Sequence, residues 1–152
     1  ILQEMGARLK LYGYVYDGYA AHINTLQSYY DRSMELLSTA VRQALFCPQR
    51  PVYGKENDSP SGYIDPDGGC VNSLIADGCD IRGSVKNCIL FRNVRIERGA
   101  SVENCILFKD TVVKKGASLH SVITDKYVTV SENVILTGHE RYPMVVAKGV
   151  TV

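Results

Sequence analysis

Large apolar side chains recur at short, regular intervals along the second half of the chain. They fall at steps of six, five and six residues, so the pattern returns every 17 residues, as in the series Ile96, Val102, Leu107 and Val113. Helical repeats need longer units, whereas short strands that turn three times per coil fit this spacing. The pattern therefore predicts a mainly β protein built as a parallel β-solenoid of hexapeptide-like repeats.

Residues at equivalent places in the repeat should stack in interior columns, because parallel pairing of successive coils keeps them in register. The repeats are clear from Cys70 to Leu136, or about four coils. One predicted column contains Val85, Val102 and Leu119, and another contains Cys88 and Cys105. We expect both cysteine sulfurs to be buried and unreactive.

A second set of apolar residues lies one position before or after the residues predicted to point into the solenoid. Side chains alternate across a strand, so this set should point outward and form a stripe on one face. Such a stripe would promote aggregation in water, and we expect a helix of the chain to cover part of it and another subunit the rest. The alternative is that the face belongs wholly to the intramolecular core. The interface candidates are Leu74, Ile89, Phe91, Ile106, Phe108 and Ile123.

The first third of the chain has a different pattern. Aromatic and β-branched residues predict a strand from Leu9 to Tyr16. Apolar residues at steps of three and four predict one amphipathic helix from Thr25 to Phe46, which Cys47 and Pro48 end. Pro, Gly, Asp and Ser then indicate an irregular linker.

These elements divide the chain into three parts. Residues 1–47 form a strand and a helix, residues 48–69 the linker, and residues 70–152 the solenoid. Residues 137–152 lose the register of the repeat, so they form either a terminal cap or a strand that lies elsewhere.

Composition narrows the possible functions. The net charge is +1, from 17 Lys and Arg against 16 Asp and Glu, which disfavours nucleic acid or an anionic membrane as the partner. No apolar run approaches the roughly 18 residues that cross a bilayer, and the start of the chain does not resemble a signal peptide. We therefore expect a cytoplasmic location. Since the chain begins at Ile1 without methionine, we also expect it to be a fragment.

The cysteines indicate neither a disulfide framework nor a metal site. Their number, five, is odd, and they are spaced 23, 9, 9 and 17 residues apart. Zinc sites need closer pairs of ligands. We expect no metal ligands here and no cofactor in this fragment.

The segment GYAAHINTLQSYYDRSMELL, from Gly18 to Leu37, resembles the end of the catalytic domain of ADP-glucose pyrophosphorylases, or glucose-1-phosphate adenylyltransferases. A later segment, from Val71 to Leu90, resembles the first β-helix coils of the same enzymes, so the resemblance covers nearly the whole chain. The resemblance implies a left-handed β-helix, and the handedness depends on it alone. The matching residues in the first segment are Gly18, Tyr19, Thr25, Ser28, Tyr29, Met34, Leu36 and Leu37.

Two residues depart from the family pattern. His22 stands where the family has an aspartate that helps to hold catalytic magnesium, and Asn24 stands where it has glycine. Magnesium prefers hard oxygen ligands, so an imidazole should weaken the site. This version of the motif resembles the non-catalytic, GlgD-type regulatory subunit. The alternative is that His22 only packs at the end of a strand.

The resemblance implies an assembly and regulatory β-helix region of a subunit that works in glycogen biosynthesis. We expect an oligomer, formed with a catalytic pyrophosphorylase subunit or by self-association. The fragment itself should be inactive, whereas an active parent would use Mg²⁺. One alternative is that the parent is a catalytic adenylyltransferase, converting ATP and glucose 1-phosphate to ADP-glucose and pyrophosphate.

A more distant alternative is a hexapeptide-repeat acyltransferase. That activity would need a histidine as general base. His120 and His139 are the candidates, and the sequence shows no carboxylate partner for either. We expect both to be exposed histidines without a catalytic role.

Overall fold

The computed structural model describes residue 10, residues 12–54 and residues 58–152. The described residues contain two short helices followed by a series of short strands. Helix α1 spans Leu26–Glu35 and helix α2 spans Thr39–Leu45. The strands are β1 (Tyr63–Ile64), β2 (Gly69–Val71), β3 (Leu74–Ile75), β4 (Asp80–Ile81), β5 (Ser84–Lys86), β6 (Ile89–Leu90), β7 (Arg95–Ile96), β8 (Ser101–Glu103), β9 (Ile106–Leu107), β10 (Val112–Val113), β11 (Ser118–His120), β12 (Val122–Thr124), β13 (Thr129–Val130), β14 (Ile135–Thr137) and β15 (Met144–Val146).

The strands form three parallel sheets, each with one strand from every coil. Sheet A has the order β1-β4-β7-β10-β13, sheet B has β2-β5-β8-β11-β14, and sheet C has β3-β6-β9-β12-β15. The predicted β-solenoid is therefore confirmed. Partners are 17 residues apart from Val85 to Val102 and 15 apart from Cys70 to Val85.

The stacked coils enclose the predicted interior columns. Val102 pairs in register with Val85 on one side and Leu119 on the other, and all three are buried. The backbone N–H of Cys105 donates to Sγ of Cys88 at 3.4 Å. Both sulfurs are buried, and burial raises the pKa of the Cys105 thiol well above its usual range, which favours its unreactive protonated form.

The solenoid extends beyond the repeats that define it in the sequence. Strand β1 pairs with β4, although its residues lie in the segment that we assign to the linker. At the other end, β15 pairs with β12 after a longer excursion, since Ile123 and Val145 are 22 residues apart. Residues 144–146 thus continue sheet C, and Thr151 bridges to Thr129.

Asparagine occupies the corner between sheets B and C. Asn72, Asn87 and Asn104 have φ angles of 44°, 51° and 53°, in the left-handed region that Asn tolerates better than most residues. Their side chains form a ladder, in which Asn72 Nδ2 donates to Asn87 Oδ1 at 2.8 Å and Asn87 Nδ2 to Asn104 Oδ1 at 3.2 Å. The ladder therefore marks the corner before sheet C in three successive coils, and Ser121, with a φ of 52°, takes the same place in the next coil.

The single helix predicted from Thr25 to Phe46 is wrong, because the structure has two helices with a turn between them. The last turn of α1 tightens, with Leu37 N–H donating to Met34 O and Ser38 N–H to Glu35 O. Ser38 then adopts an extended conformation as the N-cap of α2. Arg42 of α2 stabilises this break, because its Nη1 donates to the backbone carbonyls of Leu36 and Leu37 at 2.7 and 2.8 Å.

The strand predicted from Leu9 to Tyr16 does not form in the described part of that segment. Leu9 and Leu11 lie outside the described residues, and Tyr12 to Tyr16 have no strand structure. Tyr12 and Tyr14 are exposed, and no described strand pairs with them. Strand propensity alone does not form a strand, since the backbone groups need a neighbour to pair with. No helix in the described ranges combines the length and the hydropathy needed to span a bilayer.

Candidate assembly surface

Helix α1 packs on the outer face of sheet C. Ile106 and Ile123 lie beneath it and are 0% and 4% exposed, and Tyr30 of the helix is 4% exposed. These three residues form a small cluster separate from the solenoid interior, and the partly buried side chains packed against it are Tyr29, Met34, Ile89 and Phe108. The prediction that the chain's own helix covers part of the outward stripe agrees with this packing.

The start of α1 is fixed by residues of the family motif. Thr25 is the N-cap, and its Oγ1 accepts from the backbone N–H of Ser28 at 3.0 Å, while Ser28 Oγ accepts from the N–H of Thr25 at 2.9 Å. This reciprocal capping box satisfies two backbone donors that a helix otherwise leaves unpaired. Part of the sequence motif thus has a structural role, because it sets where the helix begins above sheet C.

Two polar contacts anchor the helix to the solenoid. The Tyr30 hydroxyl donates to the carbonyl of Asn104 at 2.6 Å, at the corner where the asparagine ladder ends. Gln27 Nε2 donates to the carbonyl of Glu140 at 2.8 Å, in the excursion before β15. Burial raises the pKa of the Tyr30 hydroxyl above its ordinary value, which favours the protonated form that donates this bond.

Aromatic side chains mark the edge of the covered region. The rings of Phe91 and Phe108 stack with centroids 4.6 Å apart and planes 4° from parallel, and Tyr29 stacks on Phe108 at 6.4 Å. Phe108 is half-buried, whereas Phe91 is 38% exposed. The stack therefore passes from helix-covered surface to open surface between two adjacent coils.

Beyond this edge, sheet C is open and apolar. Leu74 and Ile89 pair in register and are only half-buried, and with Phe91 they line a shallow groove of about 240 Å³. We call this the sheet C groove; its full lining is Leu74, Ile75, Ala76, Ile89, Leu90 and Phe91. Its chemistry suits burial of an apolar surface from a partner, since it presents no titratable side chain.

The structure therefore divides the six interface candidates. Ile106 and Ile123 are buried under α1 and unavailable to a partner, and Phe108 is partly enclosed by Tyr29. Leu74 and Phe91 remain accessible, whereas Ile89 is half-buried where it borders the helix-covered cluster. The periodicity of the repeat places all six on one face but does not show which part the helix covers.

His22 and Asn24 lie just before α1 and are exposed. The Asn24 backbone N–H donates to Ser28 Oγ at 3.0 Å, and its side-chain oxygen accepts from the same hydroxyl at 3.3 Å. An imidazole and an already bonded amide oxygen do not fit magnesium, which favours carboxylates. No cluster of three metal-ligating side chains occurs in the part of the chain that the structure describes.

The two histidines considered for acyl transfer have other contacts. His120 is half-buried, with Nε2 3.4 Å from Asn104 Nδ2 and Nδ1 3.2 Å from Ser121 Oγ. His139 Nδ1 accepts from the backbone N–H of Arg141 at 3.1 Å. Neither ring bonds to a carboxylate of a described residue, so neither is arranged as a general base with an orienting acid. His120 is less exposed than expected because it extends the asparagine ladder.

Sequence reasoning missed several residues that build the surface. Tyr29 matches the family motif, but its stacking on Phe108 depends on how α1 crosses the coils. The asparagine ladder has a sequence signal, since Asn87 and Asn104 are 17 residues apart and each precedes an interior cysteine. A recurring Asn at one place in a repeat indicates a corner with positive φ.

The fold and this surface define a class of protein: a hexapeptide-repeat β-solenoid domain whose apolar outer face is braced by a helix and remains open at one end. The chain belongs to the family described as GlmU-like, C-terminal hexapeptide, which matches residues 62–152.

Similarity to individual proteins extends across the N-terminal helices. The chain is 43% identical over 148 residues to the glycogen biosynthesis protein GlgD of Bacillus subtilis, covering 97% of this chain and 43% of that protein. It is 46% identical over 68 residues to GlgD of Geobacillus stearothermophilus, covering 45% of this chain and 20% of that protein. It is also 36% identical over 90 residues to the glucose-1-phosphate adenylyltransferase of Acetivibrio thermocellus, covering 59% of this chain and 21% of that protein.

These similarities confirm the predicted resemblance to glucose-1-phosphate adenylyltransferases and to their GlgD-type relatives. The chain spans less than half the length of these curated relatives.

Proposed function

We propose that the chain is the C-terminal assembly and regulatory region of a GlgD-type, non-catalytic subunit in glycogen biosynthesis. The observation that carries this proposal is the 43% identity to a GlgD protein along 97% of the chain, which includes both the helices and the solenoid. The imidazole of His22 at the family's magnesium position supports a non-catalytic role. A cytoplasmic location is part of the same proposal.

The partner that we propose is a catalytic glucose-1-phosphate adenylyltransferase subunit, and the sheet C groove is its docking site. The groove is the uncovered continuation of a face whose other half α1 already buries. Interfaces place apolar side chains at their centre and polar ones at the rim. Leu74, Ile89 and Phe91 provide such a centre, and in the mixed oligomer Mg²⁺ would be held by the catalytic subunit.

A second candidate function is favoured by the similarity to the Acetivibrio thermocellus enzyme, which covers 59% of the chain. In that case the parent protein is itself a catalytic adenylyltransferase and the solenoid serves its own assembly. An acyltransferase is disfavoured, because the described histidines have no carboxylate partner.

The test is co-expression of the chain with the glucose-1-phosphate adenylyltransferase of the same organism, followed by native mass spectrometry. We expect a mixed assembly, and we expect Ile89→Ser with Phe91→Ser to abolish it while far-UV circular dichroism stays unchanged. Ile135→Ser is the matched control, because Ile135 is 74% exposed and lies on sheet B.

Assembly that survives the double substitution would rule out the groove as the docking site. Self-association of the chain, with no binding to the adenylyltransferase, would instead contradict the choice of partner.

A further inference from the structure

Basic side chains form a column along the corner where each coil passes from sheet C to sheet A. The backbone carbonyl of Arg92 accepts from the N–H of Asp110 at 3.0 Å, and that of Lys126 accepts from the N–H of Gly149 at 2.9 Å. Successive coils therefore stack one cation on the next, at the spacing of about 4.8 Å between parallel strands. Asp77 takes this place in the coil before Arg92, so the column ends there. We call the column the basic corner; its members are Arg92, Lys109, Lys126 and Lys148.

Nearby carboxylates offset only part of this charge. Lys109 Nζ lies 3.4 Å from Asp110 Oδ2. Asp125 Oδ1 accepts from the backbone N–H of Lys126 at 2.7 Å. Among the described residues, no carboxylate lies within 4.0 Å of the charged group of any other member of the column. The basic corner therefore keeps an excess of positive charge, although the chain as a whole has a net charge of only +1.

Tyr127 lies in the same corner with a backbone conformation that tyrosine rarely adopts. Its φ is 61°, in the left-handed region. The equivalent positions of the three preceding coils hold smaller residues that tolerate this region better, namely Gly78, Asn93 and Asp110. The Tyr127 ring is 50% exposed, and its centroid lies 5.9 Å from Lys109 Nζ and 5.8 Å from Lys148 Nζ. The chain thus holds an exposed aromatic ring among the cations at a cost in backbone strain, which is typical of functional positions.

The basic corner continues the sheet C groove. Phe91 lines the groove and also lines a concavity of about 320 Å³ at the corner. The other residues around that concavity are Arg92, Phe108, Lys109 and Lys126. One aromatic side chain therefore joins an apolar patch to a charged border. Protein interfaces combine an apolar centre with a polar rim, and tyrosine and arginine are enriched among the residues that dominate their affinity.

We propose that the basic corner and Tyr127 bind an acidic segment of the protein that docks in the sheet C groove. This inference rests on the proposed function, in which that protein is the catalytic adenylyltransferase subunit. Charge complementarity selects an acidic occupant, because a neutral or basic surface would desolvate the cations without compensating them. A nucleic acid fits less well, since its affinity grows with the number of phosphates contacted and the corner offers one short row of cations.

Association kinetics with the glucose-1-phosphate adenylyltransferase of the same organism test this inference, measured by biolayer interferometry at low and high salt. Complementary charges accelerate association, and rising ionic strength removes the acceleration. We expect Lys109→Glu with Lys126→Glu to slow association about tenfold at low salt and to flatten its dependence on salt. Far-UV circular dichroism checks that the variant is folded.

The matched control is Lys114→Glu with Lys115→Glu, which makes the same change in charge at the next corner, between β10 and β11. Slower association of the first variant alone supports the inference. Equal slowing in both would overturn it, because only the overall charge would then matter. Tight binding to a DNA duplex that the first variant loses would also overturn it, in favour of a nucleic acid.

The kinetics also separate this inference from the proposed function. If the unsubstituted chain binds the adenylyltransferase and the first variant associates equally fast, the inference fails while the proposed partner stands. If the unsubstituted chain does not bind at all, the proposed partner is wrong and the inference fails with it.

Tyr127→Asn tests the strained position independently. Asn93 occupies the equivalent place two coils earlier with a φ of 59°, so asparagine suits this backbone. We expect the thermal midpoint of the chain to stay the same or rise, because strain is relieved. We also expect the complex with the adenylyltransferase to dissociate about fivefold faster or more, because an interfacial aromatic ring is lost. A lower midpoint with unchanged dissociation would show that Tyr127 serves the fold and would overturn its role in binding.

Discussion

Asp65 is a buried carboxylate at the start of the solenoid, just after β1. Its Oδ1 accepts from the backbone N–H of Asp67 at 3.0 Å, and its Oδ2 accepts from Arg98. The Asp67 N–H, followed by Arg98, lowers the pKa of this carboxyl below its usual range. The charged form is therefore favoured in the folded state more than in the unfolded state.

Because the pKa of Asp65 is lower in the folded state than in the unfolded state, part of the loss of stability in acid should depend on this one residue. A carboxyl with a lower folded pKa contributes stability above the unfolded value of about 4, and loses it as pH falls through the folded pKa. We expect Asp65→Asn to lower the unfolding free energy at pH 7 and to flatten its decline below about pH 4. Urea unfolding across pH measures this.

Asp67→Asn is the control for the acid effect, because Asp67 is exposed and its backbone donor is retained. An Asp65→Asn variant whose stability falls with acid as steeply as that of the parent would contradict the assignment.

At the scale of elements, the corner between sheets B and C depends on a column of residues. Asn104 combines a φ of 53°, a side-chain bond from Asn87 and a backbone carbonyl that receives Tyr30. The left-handed φ and the bond from Asn87 depend on the residue being asparagine, whereas the carbonyl that accepts from Tyr30 belongs to the backbone. Substitutions of Asn104 can therefore separate the first two effects from each other.

We predict that Asn104→Ala lowers the unfolding free energy by about 1–3 kcal/mol, since it loses the ladder bond and strains the left-handed backbone. Asn104→Gly keeps the backbone relaxed and should cost less, about 0.5–1.5 kcal/mol, through loss of the amide bond. Denaturant melts of the two variants compare these effects. If glycine cost as much as alanine, backbone strain would contribute nothing at this corner.

The sequence predicted secondary-structure elements well where a repeating pattern sets their position, and poorly where tertiary contacts set it. The columns through Val102 and Cys105 follow from spacing alone, because every coil repeats the same inward positions. The break between α1 and α2 could not be read from apolar spacing, since it depends on Arg42 reaching the carbonyls of Leu36 and Leu37. The segment before His22 has strand propensity but no described partner strand, so propensity was misleading there.

For the molecule as a whole, the candidate surface was predicted only in outline. The alternation rule puts Ile89 and Ile123 on the same outward column, but their different burial depends on where α1 lies.

We predict that the purified chain forms no ADP-glucose from ATP, glucose 1-phosphate and Mg²⁺. The physical reason is that His22 and Asn24 do not provide the carboxylate that magnesium prefers. Chromatographic detection of ADP-glucose checks this, with an active glucose-1-phosphate adenylyltransferase as the positive control. Product formed by the chain alone would contradict the prediction.

The same idea can be tested in a full-length parent. Restoring the family residues with His22→Asp and Asn24→Gly should raise magnesium-dependent turnover if the missing carboxylate limits it. His22→Asn with Asn24→Gly is the matched control, because it restores the glycine without the charge. Equal turnover in the two variants would show that the carboxylate is not limiting.

Strand pairing within the solenoid joins residues about one coil apart, so, apart from contacts such as Arg98 with Asp65, each coil depends mainly on its two neighbours. Such an array could unfold piecemeal from either end, because each coil carries its own share of the stability. Helix α1 changes this, since Tyr30 and Gln27 reach partners 74 and 113 residues away in different coils. The helix therefore acts as a lateral brace between coils that do not touch one another, and we expect the braced solenoid to unfold cooperatively as a single unit.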